Sequence, residues 1–334
     1  MESGSADKSD ITKDLAKAIG ERQENGVTYI PSTMGTGYIK GFFINPGLRL
    51  IVRQYELKDE WVLDRGIGTE ENKFVVIAFH NIYQSKDDIK NLLLQPSSNR
   101  KWLPSVQVAT TGFNIEHLPA NKKINSIVIT VSIDYLKDLL KPKMGNTLLQ
   151  MITSGDQPFL FEEIISPQIQ EAGAAIVTAN PAITLQELYY KIKAEELIYL
   201  LFVELLKRED TTLQRLNIAD IKKIYEIKDK LLSDIDTPPR LPDLVKLSGM
   251  SESKLKRLFK QIFGNSIYNY YQSFRMKKAA YLIKEENLSV SEVGYRLGFS
   301  NLSHFTRLFE AHIGIKPKKY STGKYYNSSG NYYK

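Results

Sequence analysis

Residues 289–320 read SVSEVGYRLGFSNLSHFTRLFEAHIGIKPKKY. Val290, Val293 and Leu297 recur at helical spacing, so Ser289 to Leu297 is predicted to form a short amphipathic helix. Gly298 supplies a sharp turn, and Ser300 or Asn301 is placed to cap a second helix. On that helix Phe305, Leu308, Phe309 and Ile313 share one face, which leaves Ser303, His304 and Arg307 on the other. Two short helices joined by a glycine turn, the second with polar and basic residues on its free face, describe a helix-turn-helix.

The same unit occurs once before. Leu241, Leu244 and Leu247 predict a first helix, Gly249 the turn, Ser251 the cap, and Leu255, Leu258, Phe259 and Phe263 the second apolar face. The copies superpose with an offset of 49 up to the turn, pairing Gly249 with Gly298 and Ser251 with Ser300. Beyond it the offset is 50, pairing Ser253 with Ser303, Leu255 with Phe305, Arg257 with Arg307 and Gly264 with Gly314. Between the copies, Ser266 to Glu285 reads as one long helix, buried through Ile267, Tyr270, Tyr271, Phe274, Ala279, Leu282 and Ile283.

Charge agrees with a nucleic-acid partner. The formal net charge is +7, and residues 238–334 hold 17 Lys and Arg against 6 Asp and Glu. The remaining residues hold 28 against 32, so a basic C-terminal block follows a slightly acidic body, as phosphate binding asks. The chain has no cysteine, which excludes disulfides, thiolate metal sites and a cysteine nucleophile. No apolar run is long enough for a membrane helix and the N-terminus is polar, so a cytoplasmic protein is expected, nucleoid-associated when bound to DNA.

The duplicated segment resembles the C-terminal DNA-binding domain of the AraC/XylS family of bacterial transcription regulators. The residues that carry the likeness are Val290, Val293, Leu297-Gly298-Phe299, Ser303, Phe305, Arg307-Leu308-Phe309, Gly314, Pro317 and Tyr320, with Arg275, Met276, Ala279 and Leu282 on the intervening helix. The resemblance implies two units reading successive major grooves of double-stranded DNA, with Ser253, Arg257, Ser303 and Arg307 as base readers by position. It also implies an N-terminal cupin-like barrel that senses a small-molecule effector, a homodimer, and RNA polymerase as a further partner. Family members that repair DNA by methyl transfer use a cysteine, so that activity is excluded. Ser321 stands where the family usually has Arg, which predicts a lost phosphate or surface contact. Leu302 replaces a common polar reader and suits a thymine methyl instead.

Taken in order, residues 1–26 form an N-terminal arm, with Asp10 to Glu24 either one amphipathic helix or a loose segment. Residues 27–209 form the effector-sensing and dimerisation domain. Strands are predicted at Tyr38–Ile44, Leu48–Leu57, Lys73–Tyr83, Ser105–Thr111 and Ile124–Val131, punctuated by Gly35, Gly37, Pro46-Gly47, Gly66, Gly68 and Pro96. Helices are predicted at Ile133–Leu140, Phe159–Ala179 and Leu185–Glu209. The last is apolar around much of its circumference, which fits either a core helix or a dimer interface. Residues 210–217 form a linker, and Asp220 is expected to cap a helix Ile221–Ile235 that packs on the first helix-turn-helix. The DNA-binding domain is 218–321, and 322–334 form a disordered tail. The strands alone suggest a small antiparallel barrel or sandwich; with the resemblance, the fold class is multi-domain α+β: an N-terminal cupin-like β-barrel with flanking helices, then an all-α double helix-turn-helix domain.

The candidate DNA-binding residues are Ser253, Lys254, Lys256 and Arg257 on the first recognition helix and Asn301, Ser303, His304 and Arg307 on the second. Arg257 is the leading choice for a bidentate guanine contact, and of Lys254 and Lys256 one is assigned to a base and one to phosphate. Asn301 is open to a second reading as a helix cap, and Arg307 to others as a phosphate contact or the partner of Glu310. Phe42, Phe43, Tyr55, Trp61, Phe79 and Trp102 either line an effector cavity or form plain core. No catalytic residue, cofactor or metal is assigned. The alternative function, a metal-dependent cupin enzyme fused to a DNA-binding domain, rests only on His80 and His117, a thin ligand set.

Overall fold

The computed structural model describes residues 23–24, 27–64, 74–82, 104–110, 115–118, 120–141, 147–156, 158–208, 216–233, 237–284 and 286–322. The expectations for the arm before residue 23, for Gly66, Gly68 and Pro96, for most of the linker and for 323–334 lie outside them. The described residues up to Leu216 form one compact unit and those from Asn217 a second.

The first unit is built on strands β1 (Gln23–Glu24), β2 (Val27–Tyr29), β3 (Gly35–Asn45), β4 (Leu48–Leu57), β5 (Trp61–Asp64), β6 (Phe74–His80), β7 (Ser105–Thr110), β8 (Ile115–Leu118), β9 (Lys123–Ser132) and β10 (Leu160–Ile164). Eight of them form one antiparallel sheet in the order β1-β2-β3-β4-β9-β6-β7-β10, while β5 and β8 pair separately. All five predicted strands are present. The expected closed barrel is corrected, for the described residues, to an open sheet. Closure requires the end strands to bond to each other, whereas β1 pairs with β2 and β10 with β7.

The pleat sorts side chains between the two faces of this sheet. Phe42, Leu50, Ile129, Ile77, Val108 and Phe161 lie in one cross-strand row and belong to the main core, except that Phe42 is only partly buried against it. Helices α1 (Ile133–Leu140), α2 (Thr147–Ser154), α3 (Pro167–Thr178) and α4 (Gln186–Leu205) pack against that core. Fully burying one such Leu, Ile or Phe contributes roughly 1.5–3 kcal/mol. Phe43 and Tyr55 sit on the other face, so the described aromatics are divided between the two faces, while Trp102 and the Trp61 side chain lie outside the description. Phe79 is core, Phe42 stacks on Tyr190 at 3.7 Å, and Phe43 is exposed.

One predicted helix divides. Phe159–Ala179 becomes β10 followed by α3, because Ser166 caps the helix and Pro167 occupies its first position. The Ser166 hydroxyl accepts from the Ile169 N–H at 3.4 Å, and the edge of β7 takes the preceding segment into the sheet. The long helix predicted at Leu185–Glu209 is α4, entered through a 3-10 turn at Ile183–Leu185. No helix among the described residues is long and apolar enough to cross a membrane.

The second unit is helical: α5 (Ile218–Ser233), α6 (Leu241–Ser248), α7 (Glu252–Phe263), α8 (Ile267–Lys284), α9 (Val290–Arg296), α10 (Leu302–Ile313) and α11 (Pro317–Ser321). The cap of α5 is corrected from Asp220 to Asn217, whose side-chain oxygen accepts from the Asp220 N–H at 2.7 Å.

Gly173, on α3, packs against Ile82, and a Cβ there would lie 2.3 Å from the Ile82 Cδ1. Gly173→Leu is predicted to overpack the first unit by about 1–3 kcal/mol. Thermal unfolding of the variant checks this, and an unchanged or raised midpoint would count against the packing described.

Candidate nucleic-acid interface

Each recognition helix is delimited at both ends by its own sequence. Ser251 caps α7, its hydroxyl accepting from the Lys254 N–H at 3.4 Å. Asn301 caps α10, its side-chain oxygen accepting from the N–H groups of Ser303 and His304 at 2.9 and 3.1 Å. Gly264 and Gly314 end the two helices in the left-handed region, at φ 69 and 88°. The cap of α10 is Asn301, so Ser251 corresponds to Asn301 at an offset of 50 and not to Ser300. The turn glycines, Gly249 and Gly298, have φ of 63 and 77° and keep the offset of 49. The inserted residue therefore lies between Gly298 and Asn301, and Phe299 and Met250 are both buried there.

The helix preceding each recognition helix sets its angle. In the second copy α9 opens with a capping box, Ser289 and Glu292 each bonding the other's backbone N–H. A Cβ on Gly294 would lie 2.5 Å from Leu302 Cδ2 and 3.3 Å from Phe305 Cδ1, so the glycine lets α9 and α10 approach closely. Phe305 and Phe309 are fully buried, with Tyr320 of α11 packed edge-on against Phe309 at 5.6 Å.

Arg275 of α8 fastens the second turn. Its buried guanidinium donates to the Leu297 carbonyl and to Gln272, and lies 4.3 Å from the Phe299 ring centroid. Sequence reading assigned this residue only to a resemblance. Nothing in helical spacing tells which carbonyl a buried arginine will meet.

The predicted contact residues fall into two groups. Ser253, Lys256, Arg257, Ser303, His304 and Arg307 are exposed, as is the cap Asn301. Lys256 pairs with Glu252 at 2.6 Å and Lys254 with Asp220 of α5 at 2.9 Å. Arg257 and Arg307 make no side-chain hydrogen bond or ion pair among the described residues, so the pairing of Arg307 with Glu310 does not form. The His304 ring meets Phe299 edge-on at 5.8 Å. In the first unit, the His80 Nε2 and Gln107 Oε1 lie 3.3 Å apart, His117 is on β8 in the separate strand pair, and no group able to hold a metal occurs among the described residues.

Residues 244–323 match the family model of a helix-turn-helix domain. The chain is 31% identical over 102 residues to the multiple antibiotic resistance protein MarA of Escherichia coli, a match covering 30% of this chain and 80% of that one. The chain belongs to the AraC/XylS family. A longer match, 26% identical over 169 residues, is to the Msm operon regulatory protein of Streptococcus mutans. It covers half of this chain and 56% of that relative, so the chain spans little more than half of it. Among solved structures, an AraC-type transcriptional regulator from Chromobacterium violaceum is 28% identical, covering 32% of this chain and 95% of its own, with a TM-score of 0.29, too low to bear on the fold. The family's double helix-turn-helix thus coincides with the duplicated unit formed by α6–α7 and α9–α10.

Spacer helix α8 also carries Lys277, half-buried with its ammonium 5.9 Å from the Phe274 ring centroid. Burial pushes this lysine down to about 8. Its folded value lies below the unfolded one, near 10.4, so the unfolded chain binds more protons between those values. Stability is therefore predicted to rise with pH from about 8 to about 10.4, with no contribution to the slope below that window. Urea denaturation across this range should show the rise in the wild type and lose it in Lys277→Met. Parallel profiles would contradict the assignment.

Proposed function

We propose that this chain is a sequence-specific DNA-binding transcription regulator whose two recognition helices read successive major-groove segments. The observation that carries the reading is the pair Arg257 and Arg307. They occupy equivalent positions on two capped helices, are exposed, and are not engaged by side-chain hydrogen bonds or ion pairs among the described residues. Arginine in that state is available for bidentate contact with guanine, while exposed lysines such as Lys256 supply phosphate contacts. The basic surplus of residues 238–334 adds the sequence-independent attraction.

The first unit is read as the effector-responsive and dimerising part. On α4 and the turns that flank it, Leu185, Leu188, Ile192, Tyr199, Val203 and Leu206 are exposed, whereas Leu197, Leu201 and Leu205 are buried in the core. The exposed set recurs at three-, four- and seven-residue spacing, which suits pairing with the same helix of a second copy about a two-fold axis. The buried side of this helix is core, and the exposed side is what supports the dimer reading.

Selection from a randomised duplex library tests the DNA reading. Arg257→Ala should flatten base preference in one half-site and Arg307→Ala in the other, centred about 10 base pairs apart, at about 1–3 kcal/mol each. Uniform weakening by both variants would make these residues phosphate anchors instead. For the dimer, Ile192→Glu places a carboxylate in the apolar stripe and should give a folded monomer. Sedimentation of a monomeric wild type at micromolar concentration would remove the interface.

A further inference from the structure

Lys254, included above among the DNA-binding candidates, is fixed from inside the protein. Its ammonium lies 2.9 Å from Asp220 Oδ1, and the Asp220 carboxylate is held in turn, its second oxygen accepting from Asn217 Nδ2 at 2.7 Å. Because the Asn217 side-chain oxygen caps Asp220's own N–H, the carboxylate is anchored at the first turn of α5. Its side chain is 14% exposed, against 40% for Lys254. On α7, Lys254 is followed at helical spacing by Leu258 and Gln261, both buried, while Ser253, Lys256 and Arg257 are exposed. The lysine thus projects along the margin of the helix towards α5.

The second copy supports the comparison. The position equivalent to Lys254 at an offset of 50 is His304, and its ring meets Phe299, which lies beneath Arg275 of α8. The first copy's residue thus reaches the helix that precedes its unit, α5, whereas the second copy's residue meets the turn of its own unit. The chemistry differs: an ion pair in the first copy, an edge-on aromatic contact beside a ring that carries the Arg275 guanidinium in the second.

We propose that Asp220 and Lys254 are a positioning pair that sets the presentation of the first recognition helix, and that Lys254 is a fastener of α7 to α5 and not a DNA contact. The proposal rests on the reading of α7 as a DNA-reading helix. A partly exposed ion pair is weakened by salt, so placement of the first reader depends on ionic strength, whereas that of the second does not.

The experiment uses the full chain and the duplex recovered by library selection with the wild type, the α7 half-site being the one altered by Arg257→Ala. Asp220→Asn removes the ion pair without changing the exposed face of α7. It should lower discrimination in that half-site about fivefold, the equilibrium equivalent of such a pair, and leave the other half-site unchanged. Lys254→Asp should do the same, and the exchanged pair, Asp220→Lys with Lys254→Asp, should restore discrimination. If the exchanged pair stays weak on every sequence, or Asp220→Asn changes nothing or tightens binding, Lys254 is a phosphate contact and the proposal is overturned. Equal loss at both half-sites with a lower unfolding midpoint by circular dichroism also overturns it, as a merely structural effect. A wild-type chain that selects no sequence at all would instead overturn the DNA-reading proposal beneath it.

Discussion

A buried guanidinium must meet hydrogen-bond acceptors or its desolvation is costly. The two terminal nitrogens of Arg275 meet that demand at the Leu297 carbonyl at the end of α9 and at Gln272 one turn back on its own helix, with the guanidinium over the faces of Phe299 and Tyr271. The turn of the second helix-turn-helix is thereby tied to the spacer helix. Breaking the tie would leave a charge in the interior, a larger penalty than the loss of any one contact. The spacer itself is buried on most of its circumference, from Ile267 and Tyr270 through Phe274, Met276 and Ala279 to Ile283. A helix so enclosed fixes what packs on it, and α7, α9, α10 and α11 all do.

The two copies of the motif have diverged in how they are held while keeping how they are built. Both recognition helices start at a side-chain cap and end at a left-handed glycine, and both bury Phe or Leu at matching positions. Their polar anchors are different in kind. An ion pair to α5 secures the first, and a cation over an aromatic ring with a carbonyl contact secures the second. Duplication preserved the pattern that folding needs locally and left the tertiary attachments free to change.

In the first unit the corresponding constraint is a sheet that must be covered. Val75, Ile77 and Phe79 alternate with half-buried neighbours, and β9, flanked by β4 and β6, is buried along nearly all its length. Helix α4 provides cover with Leu197, Leu201 and Leu205 and is apolar beyond what that task requires, which leaves the outward stripe. At its end Arg208 reaches β10, bonding Glu163 at 2.5 Å and the Glu162 carbonyl at 2.8 Å. The edge strand is held on the side where no further strand among the described residues pairs with it.

The sequence by itself determined the duplicated units, the spacer between them, the five main strands and the exposed faces of the two recognition helices. Each of these is written in local periodicity, caps and glycines, and local signals do not depend on distant partners. Only the tertiary structure decided that Leu160–Ile164 is a strand, since its partner β7 lies some fifty residues earlier in the chain. It also decided that the sheet is open among the described residues, that Asn301 rather than Ser300 is the cap, and that Leu188 and Ile192 face outward while Leu197 does not. Lys254 and Arg257 look alike as basic residues on one short helix, yet one is bound to Asp220 and the other is not engaged among the described residues. The carboxylate that separates them is 34 residues away in sequence and 2.9 Å away in space, and long-range proximity of that kind leaves no periodic trace.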